Sequence, residues 1–136
     1  MAGTPVILMI DDNSGEALLL REALADFGLA NDFHHAANAE EAYDFLHQDG
    51  LHADAPRPSL ILLDVKIPGE SGLDILRHIK EEPELSDIPV VLTSTLASEA
   101  EIREGEALGA ADYVSKPEGF DGYIALIERL KSLLDG

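Results

Sequence analysis

Runs of large aliphatic residues without alternating polar positions are the clearest pattern in this chain. They occupy residues 5–10, 60–63 and 88–93, and each run ends in polar residues. Such runs are typical of strands covered on both faces, as in the centre of a parallel sheet. The first two runs are therefore predicted to lie side by side in the middle of one sheet. Two shorter segments, residues 31–36 and 111–115, are predicted as further strands.

The segments between these strands carry apolar residues three and four positions apart, which predicts five amphipathic helices. The residues expected to face inward, helix by helix, are Ala17, Leu18, Leu20, Leu24 and Phe27; Ala42, Phe45 and Leu46; Leu73, Ile75, Leu76 and Ile79; Ile102 and Leu108; and Phe120, Ile124, Ile127, Leu130 and Leu134.

Local signals mark where these helices begin and end. Ser14 is predicted as the N-cap of the first helix, and Gly28 is predicted to end it. The remaining signals are Asn38 with Glu41, Pro83, Ser98 with Glu101, and Gly109. Residues 49–59 contain two prolines and a glycine, and are predicted to form a long exposed connection.

Five strands alternating with five helices imply right-handed crossovers between parallel strands. The expected fold class is therefore α/β, a doubly wound five-stranded parallel sheet of flavodoxin-like strand order 2-1-3-4-5. With 136 residues and 46% hydrophobic content, residues 1–136 are expected to form a single domain without a separate output domain.

The net charge of the chain restricts the kinds of partner that it can bind. Twenty-seven acidic against 9 basic residues give a formal net charge of -18, which disfavours binding to nucleic acid or to an anionic membrane. The chain has no cysteine and no apolar segment long enough for a signal sequence or a membrane span. A cytoplasmic protein that acts through protein partners or cations is the expectation.

Polar residues that can carry chemistry follow directly after the predicted strands. Asp11 and Asp12 follow the first, Asp64 the third, Ser94 the fourth, and Lys116 the fifth. Because ligands of open α/β sheets bind at the carboxyl ends of the strands, these side chains are expected to converge. Taken singly, each also fits a turn, a helix cap or a solvated charge. Their joint placement favours a site.

The predicted cluster has a definite chemistry. Three crowded carboxylates raise one another's pKa unless a cation lies among them, and hard oxygen ligands suit Mg²⁺. The Lys116 ammonium and the Ser94 hydroxyl suit the oxygens of a transferred phosphoryl group, with Asp64 as the nucleophile. The sequence therefore predicts an aspartyl phosphate.

Four motifs, MIDDN, ILLDVKIPGESG, PVVLTST and DYVSKP, occur in the order and spacing of a known family. On these motifs the chain resembles the CheY-like receiver domain of two-component response regulators over nearly its whole length. The resemblance implies that Asp64 is the phosphoacceptor. It also implies that Asp11, Asp12, Asp64 and the main-chain carbonyl of Lys66 bind Mg²⁺, for which Mn²⁺ can substitute.

Further roles follow from the same resemblance. Ser94 matches the family's hydroxyl switch, Tyr113 its aromatic switch, and Lys116 the lysine that contacts the phosphoryl group. The peptide bond between Lys116 and Pro117 is expected to be cis, as is typical of the family. The expected function is phosphorylation-dependent signalling in a phosphorelay, with no enzymatic turnover beyond self-catalysed phosphorylation and dephosphorylation.

The loop at residues 55–58, the stretch IPVVLTST and the lack of a fused output domain resemble the stand-alone receivers that partner bacterial phytochromes. The implied partner is a sensor histidine kinase, specifically a bacteriophytochrome, with an unidentified downstream protein. Lys66 and Leu96 occupy positions that flank the path of the hydrolytic water in receivers. Because neither side chain carries an amide to orient that water, slow self-dephosphorylation is predicted.

A homodimer is a further expectation from the resemblance, since receivers form contacts through their fourth helix, fifth strand and fifth helix. The residues nominated for this face are Phe120, Tyr123, Ile124 and Ile127. The five histidines are scattered without the spacing of a metal site and are expected to be surface or packing residues.

Three other functions compete with this signalling role. A phosphate shuttle or sink would use the same chemistry. An aspartyl-phosphate hydrolase of the haloacid-dehalogenase type requires a second Asp two residues after the nucleophile, where this chain has Lys66. A flavin or dinucleotide carrier would need a phosphate-binding loop after the first strand, where Asp11 and Asp12 would repel a phosphate.

Overall fold

Parallel strands in the order β2-β1-β3-β4-β5 form the sheet, as the sequence predicts. The computed structural model describes residues 4–29, 31–67, 69–95 and 98–135. The strands are β1 (Val6–Ile10), β2 (Asp32–Ala36), β3 (Leu60–Asp64), β4 (Val90–Ser94) and β5 (Asp112–Ser115). Every residue of β3 and β4 is buried, which explains why these two strands carry unalternated apolar residues.

Five α-helices connect and follow the strands. They are α1 (Ser14–Phe27), α2 (Ala39–His47), α3 (Gly72–Glu81), α4 (Glu99–Ala107) and α5 (Gly119–Asp135). Helices α2 and α3 cover one face of the sheet, and α1 and α5 cover the other. Two apolar cores therefore lie on either side of one sheet, and the predicted doubly wound fold is confirmed.

The helix caps agree with the sequence at most positions and differ at one. Asn38 accepts a hydrogen bond from the Glu41 amide, Ser98 and Glu101 form a complete capping box, and Gly28 ends α1 at a φ of 83°. The prediction of Ser14 as the first N-cap is wrong. Asn13 caps α1, because its backbone is extended and its side chain accepts from the Glu16 amide, whereas Ser14 is already helical.

The connection between α2 and β3 is less exposed than its composition predicts. It contains a short 3-10 helix, Gly50–His52, and Ala55 and Pro58 are buried. The Gln48 side-chain amide donates to the Ala55 carbonyl at 2.6 Å, and the Ser59 hydroxyl accepts from the Val6 amide at 3.0 Å. The first contact joins the segment to the end of α2 and the second joins it to β1, so the prediction of an exposed connection is wrong for Ala55 and Pro58.

Candidate functional site

The predicted acidic residues come together at the carboxyl end of the sheet. Asp11, Asp12 and Asp64 each offer a carboxylate oxygen within 4.8 Å of the other two. Asp11 and Asp64 are buried, whereas Asp12 is exposed. The site therefore has a closed inner side and an open outer side.

Backbone hydrogen bonds hold the two buried carboxylates in place. Asp11 Oδ1 accepts from the Asn13 amide at 2.8 Å, and the Asp11 amide donates to the Ala36 carbonyl of the neighbouring strand. Asp64 Oδ1 accepts from the Lys66 amide at 3.0 Å. Each carboxylate thus closes a local turn and still directs its second oxygen into the site, so the turn interpretation and the site interpretation are compatible.

The start of α3 approaches the Asp64 backbone closely. A Cβ on Gly72 would lie 2.2 Å from the Asp64 carbonyl oxygen, and the Gly72 amide donates to the Val65 carbonyl at 2.8 Å. Only glycine fits without displacing main chain at this point. Gly72 therefore sets the path of the loop that follows the candidate phosphoacceptor.

Lys116 supplies the positive charge of the site. Its Nζ lies 2.9 Å from Asp64 Oδ2, 3.1 Å from Asp11 Oδ2 and 2.9 Å from Glu16 Oε2. Its side chain is only 16% exposed. The Lys116 amide also donates to the Ser94 carbonyl at 2.9 Å, which attaches the residue to the end of β4.

Burial and charge act in opposite directions on these groups. Burial raises the pKa of both Asp64 and Asp11, and the hydrogen bonds from Lys116 and from the backbone offset only part of this effect. Burial alone would lower the pKa of Lys116, but its hydrogen bonds to Asp64, Glu16 and Asp11 outweigh that and raise its pKa. Lys116 is therefore charged, and the buried carboxylates favour a further cation.

One oxygen tests whether the cluster suits a metal ion. Asp11 Oδ2 is buried, and within the described residues its partner is the Lys116 ammonium, whose Nζ lies 3.1 Å away. A buried carboxylate oxygen can accept more than one contact, and coordination to a cation would offset the remaining cost of its burial. The donor set consists of carboxylates, the hard ligands that Mg²⁺ prefers. The residues present therefore fit a divalent cation.

The two predicted switch residues lie near this cluster. Ser94 is buried at the end of β4, opposite Ser115 of β5, and the preceding Thr93 pairs with Asp64 across the sheet. Tyr113 is half-buried and packs against the core on the α2 and α3 side. The Lys66 side chain is exposed. Leu96 lies outside the described residues.

The predicted cis bond is not observed. The peptide bond between Lys116 and Pro117 is trans, because no residue among those described has a cis peptide bond. Trans is the intrinsically preferred isomer before proline by about 0.5–1 kcal/mol. The Lys116 ammonium reaches the carboxylates of Asp11, Glu16 and Asp64 from the trans backbone, so these contacts do not require the cis form.

One of the residues nominated for a dimer face is buried in the core of its own chain. Ile127 is 1% exposed and belongs to the core between the sheet, α1 and α5. Tyr123 packs against the same core and lines a small cavity together with Asp11 and Lys116. The nomination of Ile127 is wrong, because this residue packs α5 against its own chain, whereas Tyr123 is half-buried and its part in a dimer face stays a prediction. Ile124 is half-buried, and the Phe120 side chain lies outside the described residues.

The sequence interpretation missed two groups around the site. Glu16 joins Asp11 and Asp64 on Lys116, and its position in the first helical turn after Asp11 and Asp12 was the available signal. The Tyr43 hydroxyl donates to Glu70 at 2.5 Å and lies 2.6 Å from His78 Nδ1. This contact attaches the loop after β3 to α2 and α3. It joins residues 27 and 35 positions apart, so no local pattern could have indicated it.

Comparison with known proteins places this fold and site in a class. Residues 7–128 match the family model of the response regulator receiver domain. The chain therefore belongs to the response regulator receiver domain family. Receiver domains bind Mg²⁺ through acidic residues, and Asp11, Asp12 and Asp64 form the acidic cluster that this chain offers.

Within the family, the chain is similar to response regulators associated with phytochromes. It is 29% identical over 127 residues to the response regulator Rcp1 of Synechocystis sp., an alignment that covers 93% of this chain and 86% of Rcp1. The phosphorylated cyanobacterial phytochrome response regulator RcpA superposes with a TM-score of 0.87 at 30% identity, covering 97% of this chain and 94% of RcpA. The Mn²⁺-bound form of Rcp1 superposes with a TM-score of 0.84 at 29% identity, covering 94% and 92% of the two chains.

Among the described residues, no helix is both long enough and apolar enough to span a bilayer.

Proposed function

We propose that this receiver domain takes a phosphoryl group from a sensor histidine kinase onto Asp64, in a reaction that depends on Mg²⁺. The observation that carries the proposal is the position of Asp64. Its two oxygens have separate surroundings, since Oδ1 accepts from the Lys66 amide and Oδ2 lies 2.9 Å from the Lys116 ammonium. Asp11 and Asp12 place two more carboxylates beside it.

The proposed reaction is a simple displacement at phosphorus. A carboxylate oxygen of Asp64 forms a bond to phosphorus while the bond from phosphorus to the donor breaks, and the donor leaves with the bonding electron pair. With acetyl phosphate the products are the aspartyl phosphate and acetate. When bound by these carboxylates, Mg²⁺ would supply neutralising charge for the phosphoryl oxygens.

The protein's own residues position the group that is transferred. Lys116 Nζ already lies between Asp11 and Asp64, so its ammonium can donate to a phosphoryl oxygen with little movement. Ser94 is buried at the end of the neighbouring strand, and we assign its hydroxyl to a second phosphoryl oxygen. We assign the main-chain carbonyl of Lys66 as a ligand of the metal. We assign Tyr113 of β5 as the aromatic switch whose ring moves when the Ser94 hydroxyl moves.

The similarity to Rcp1 and RcpA supports a more specific partner. RcpA is described as a phytochrome response regulator, so we infer that the kinase for this chain is of the phytochrome type. The cytoplasm is the expected site of action. A phosphate shuttle or sink would use the same reaction on Asp64 and differs only in the protein that receives the group.

Intact-mass spectrometry after incubation with acetyl phosphate tests the proposed reaction. The wild-type protein is expected to gain one phosphoryl group in Mg²⁺ and none in excess chelator. Uptake that is the same with and without the metal would contradict the proposed metal site. No uptake under either condition would contradict the phosphoacceptor role.

Slow loss of the phosphoryl group is expected once it is formed. Lys66 lies two residues after Asp64 with an exposed side chain, and it has no side-chain amide that could orient a hydrolytic water. Replacing Lys66 by Asn is expected to shorten the phosphorylated half-life several-fold, measured by the decay of the phosphorylated mass. Lys131→Asn, on the exposed side of α5, is the matched control. A wild-type half-life of seconds would contradict the prediction.

A homodimer through α4, β5 and α5 stays a prediction, with the buried Ile127 excluded from the contact. Light scattering at micromolar concentration, with and without phosphoryl donor, is expected to show a dimer. Monomer under both conditions would argue against this assembly.

A further inference from the structure

Glu16 is a charged residue of the site to which the proposed reaction assigns no role. It lies in the first turn of α1, and its Oε2 is 2.9 Å from Lys116 Nζ. A lysine ammonium has three N–H donors, and here three carboxylates, those of Asp11, Glu16 and Asp64, surround it. Glu16 therefore occupies a donor of Lys116 that a phosphoryl oxygen could otherwise use.

The position of Glu16 is well defined by local structure. The Asn13 side chain accepts from the Glu16 amide at 3.1 Å, which fixes the first turn of α1 beside Asp11 and Asp12. The Glu16 side chain is 30% exposed, so it lies at the edge of the site. An acidic residue in a first helical turn also favours the helix dipole, which is a purely structural reason for its presence.

The charge of Glu16 has opposite effects on the two species that meet at Asp64. A phosphoryl donor is anionic, and Glu16 both adds a negative charge near its path and holds the cation that would attract it. Mg²⁺ is a cation, and the same negative charge favours its binding. If Glu16 only stabilised the end of the helix, removing its charge would not change the reaction with an anionic donor and the binding of Mg²⁺ in opposite directions.

We propose that Glu16 is a specificity-determining residue that disfavours small anionic phosphoryl donors while it supports binding of the divalent cation. The inference rests on the proposed phosphoacceptor role of Asp64. A protein donor could supply cationic or hydrogen-bonding groups opposite Glu16, whereas acetyl phosphate brings only its own negative charge. The chain would thereby react slowly with free metabolite-like phosphates and depend on a kinase.

Glu16→Gln tests this inference, because glutamine keeps the shape and the hydrogen-bonding oxygen and removes the charge. Glu22→Gln is the matched control, since Glu22 lies on the same helix, is exposed, and makes no ion pair within the described part of the chain. Two quantities are measured at low salt: the rate of phosphorylation by acetyl phosphate in saturating Mg²⁺, and the dissociation constant of Mg²⁺ without donor.

We expect Glu16→Gln to raise the phosphorylation rate by about tenfold and to weaken Mg²⁺ binding several-fold, relative to Glu22→Gln. Both differences are expected to shrink at high ionic strength. A fall in both rate and Mg²⁺ affinity would overturn the inference in favour of a structural role. Values equal to the control within twofold would overturn it as well.

The same experiment separates this inference from the proposed function. Uptake by the wild type with no gain in Glu16→Gln would overturn only the role of Glu16. No uptake by any of the three proteins would contradict the phosphoacceptor role of Asp64, and the inference with it.

Discussion

Replacing Asp64 by Asn is expected to abolish uptake of a phosphoryl group from acetyl phosphate in Mg²⁺. An amide is neutral and far less nucleophilic than a carboxylate, so the variant lacks the group that we propose forms the acyl phosphate. Intact-mass spectrometry measures the outcome. Residual uptake in the variant at the wild-type rate would mean that the phosphoryl group is carried by another residue.

The same variant is expected to be more stable than the wild type when the metal is chelated. Burial raises the pKa of Asp64 above its ordinary value of 3.8, so the ionised carboxylate is disfavoured in the folded state. The stability due to this group is fully present below its unfolded pKa and is lost as the pH rises through the raised folded pKa. Asparagine carries no such loss.

Thermal melts in chelator measure this effect. At pH 7 we expect the melting temperature of Asp64→Asn to exceed that of the wild type by about 2–4 °C, which corresponds to about 1 kcal/mol. The difference should disappear near pH 4. Asp26→Asn, an exposed substitution on α1 with the same charge change, should show no comparable gain. A variant less stable than wild type at pH 7 would contradict this account.

Replacing Lys116 by Met is expected to cost about 3 kcal/mol of the free energy of unfolding at pH 7.5 in chelator. The substitution removes the ammonium next to two buried carboxylates and leaves their charges uncompensated, a change that typically costs about 3–5 kcal/mol. The third carboxylate, that of Glu16, is partly exposed, so water can hydrate its charge and it adds little to this cost. Urea unfolding measures the loss.

The pH and metal dependence of this loss distinguish charge from packing. Without Lys116 the hydrogen bonds and charge that lower the pKa of Asp11 and Asp64 are gone, so both pKa values rise further. The variant should therefore lose stability with rising pH more steeply than the wild type, and the deficit should be smaller at pH 5. Mg²⁺ should restore part of it. A deficit equal at both pH values, or equal in Lys131→Met, would indicate lost packing instead.

Some features of this fold and site could be predicted from the sequence, and others could not. The order and type of the elements follow from local patterns. The unalternated apolar run of β3 reflects a strand that is buried on both faces. The apolar spacing of α3 reflects a helix that is buried on one face. The placement of Asp11, Asp64 and Lys116 at one edge then follows, because parallel strands end on the same side of a sheet.

Features that depend on contacts between distant parts of the chain were decided only by the tertiary structure. The position of Ile127 in the helical repeat does not show whether its side chain faces solvent or the core. It is buried because α5 packs against α1. Ala55 lies in a segment of loop-like composition and is buried because Gln48 and the sheet enclose it. In both cases the neighbour that decides the outcome comes from another element.

The charge arrangement of the site divides in the same way. The sequence by itself determined which carboxylates meet, because each lies at the carboxyl end of a strand or directly after one. Only the tertiary structure decided that Glu16 shares Lys116 with them, since a glutamate in a first helical turn has many side-chain conformations that do not reach a lysine 100 positions away. Local periodicity and hydrogen bonding are encoded residue by residue, whereas the partner of a long charged side chain is set by packing.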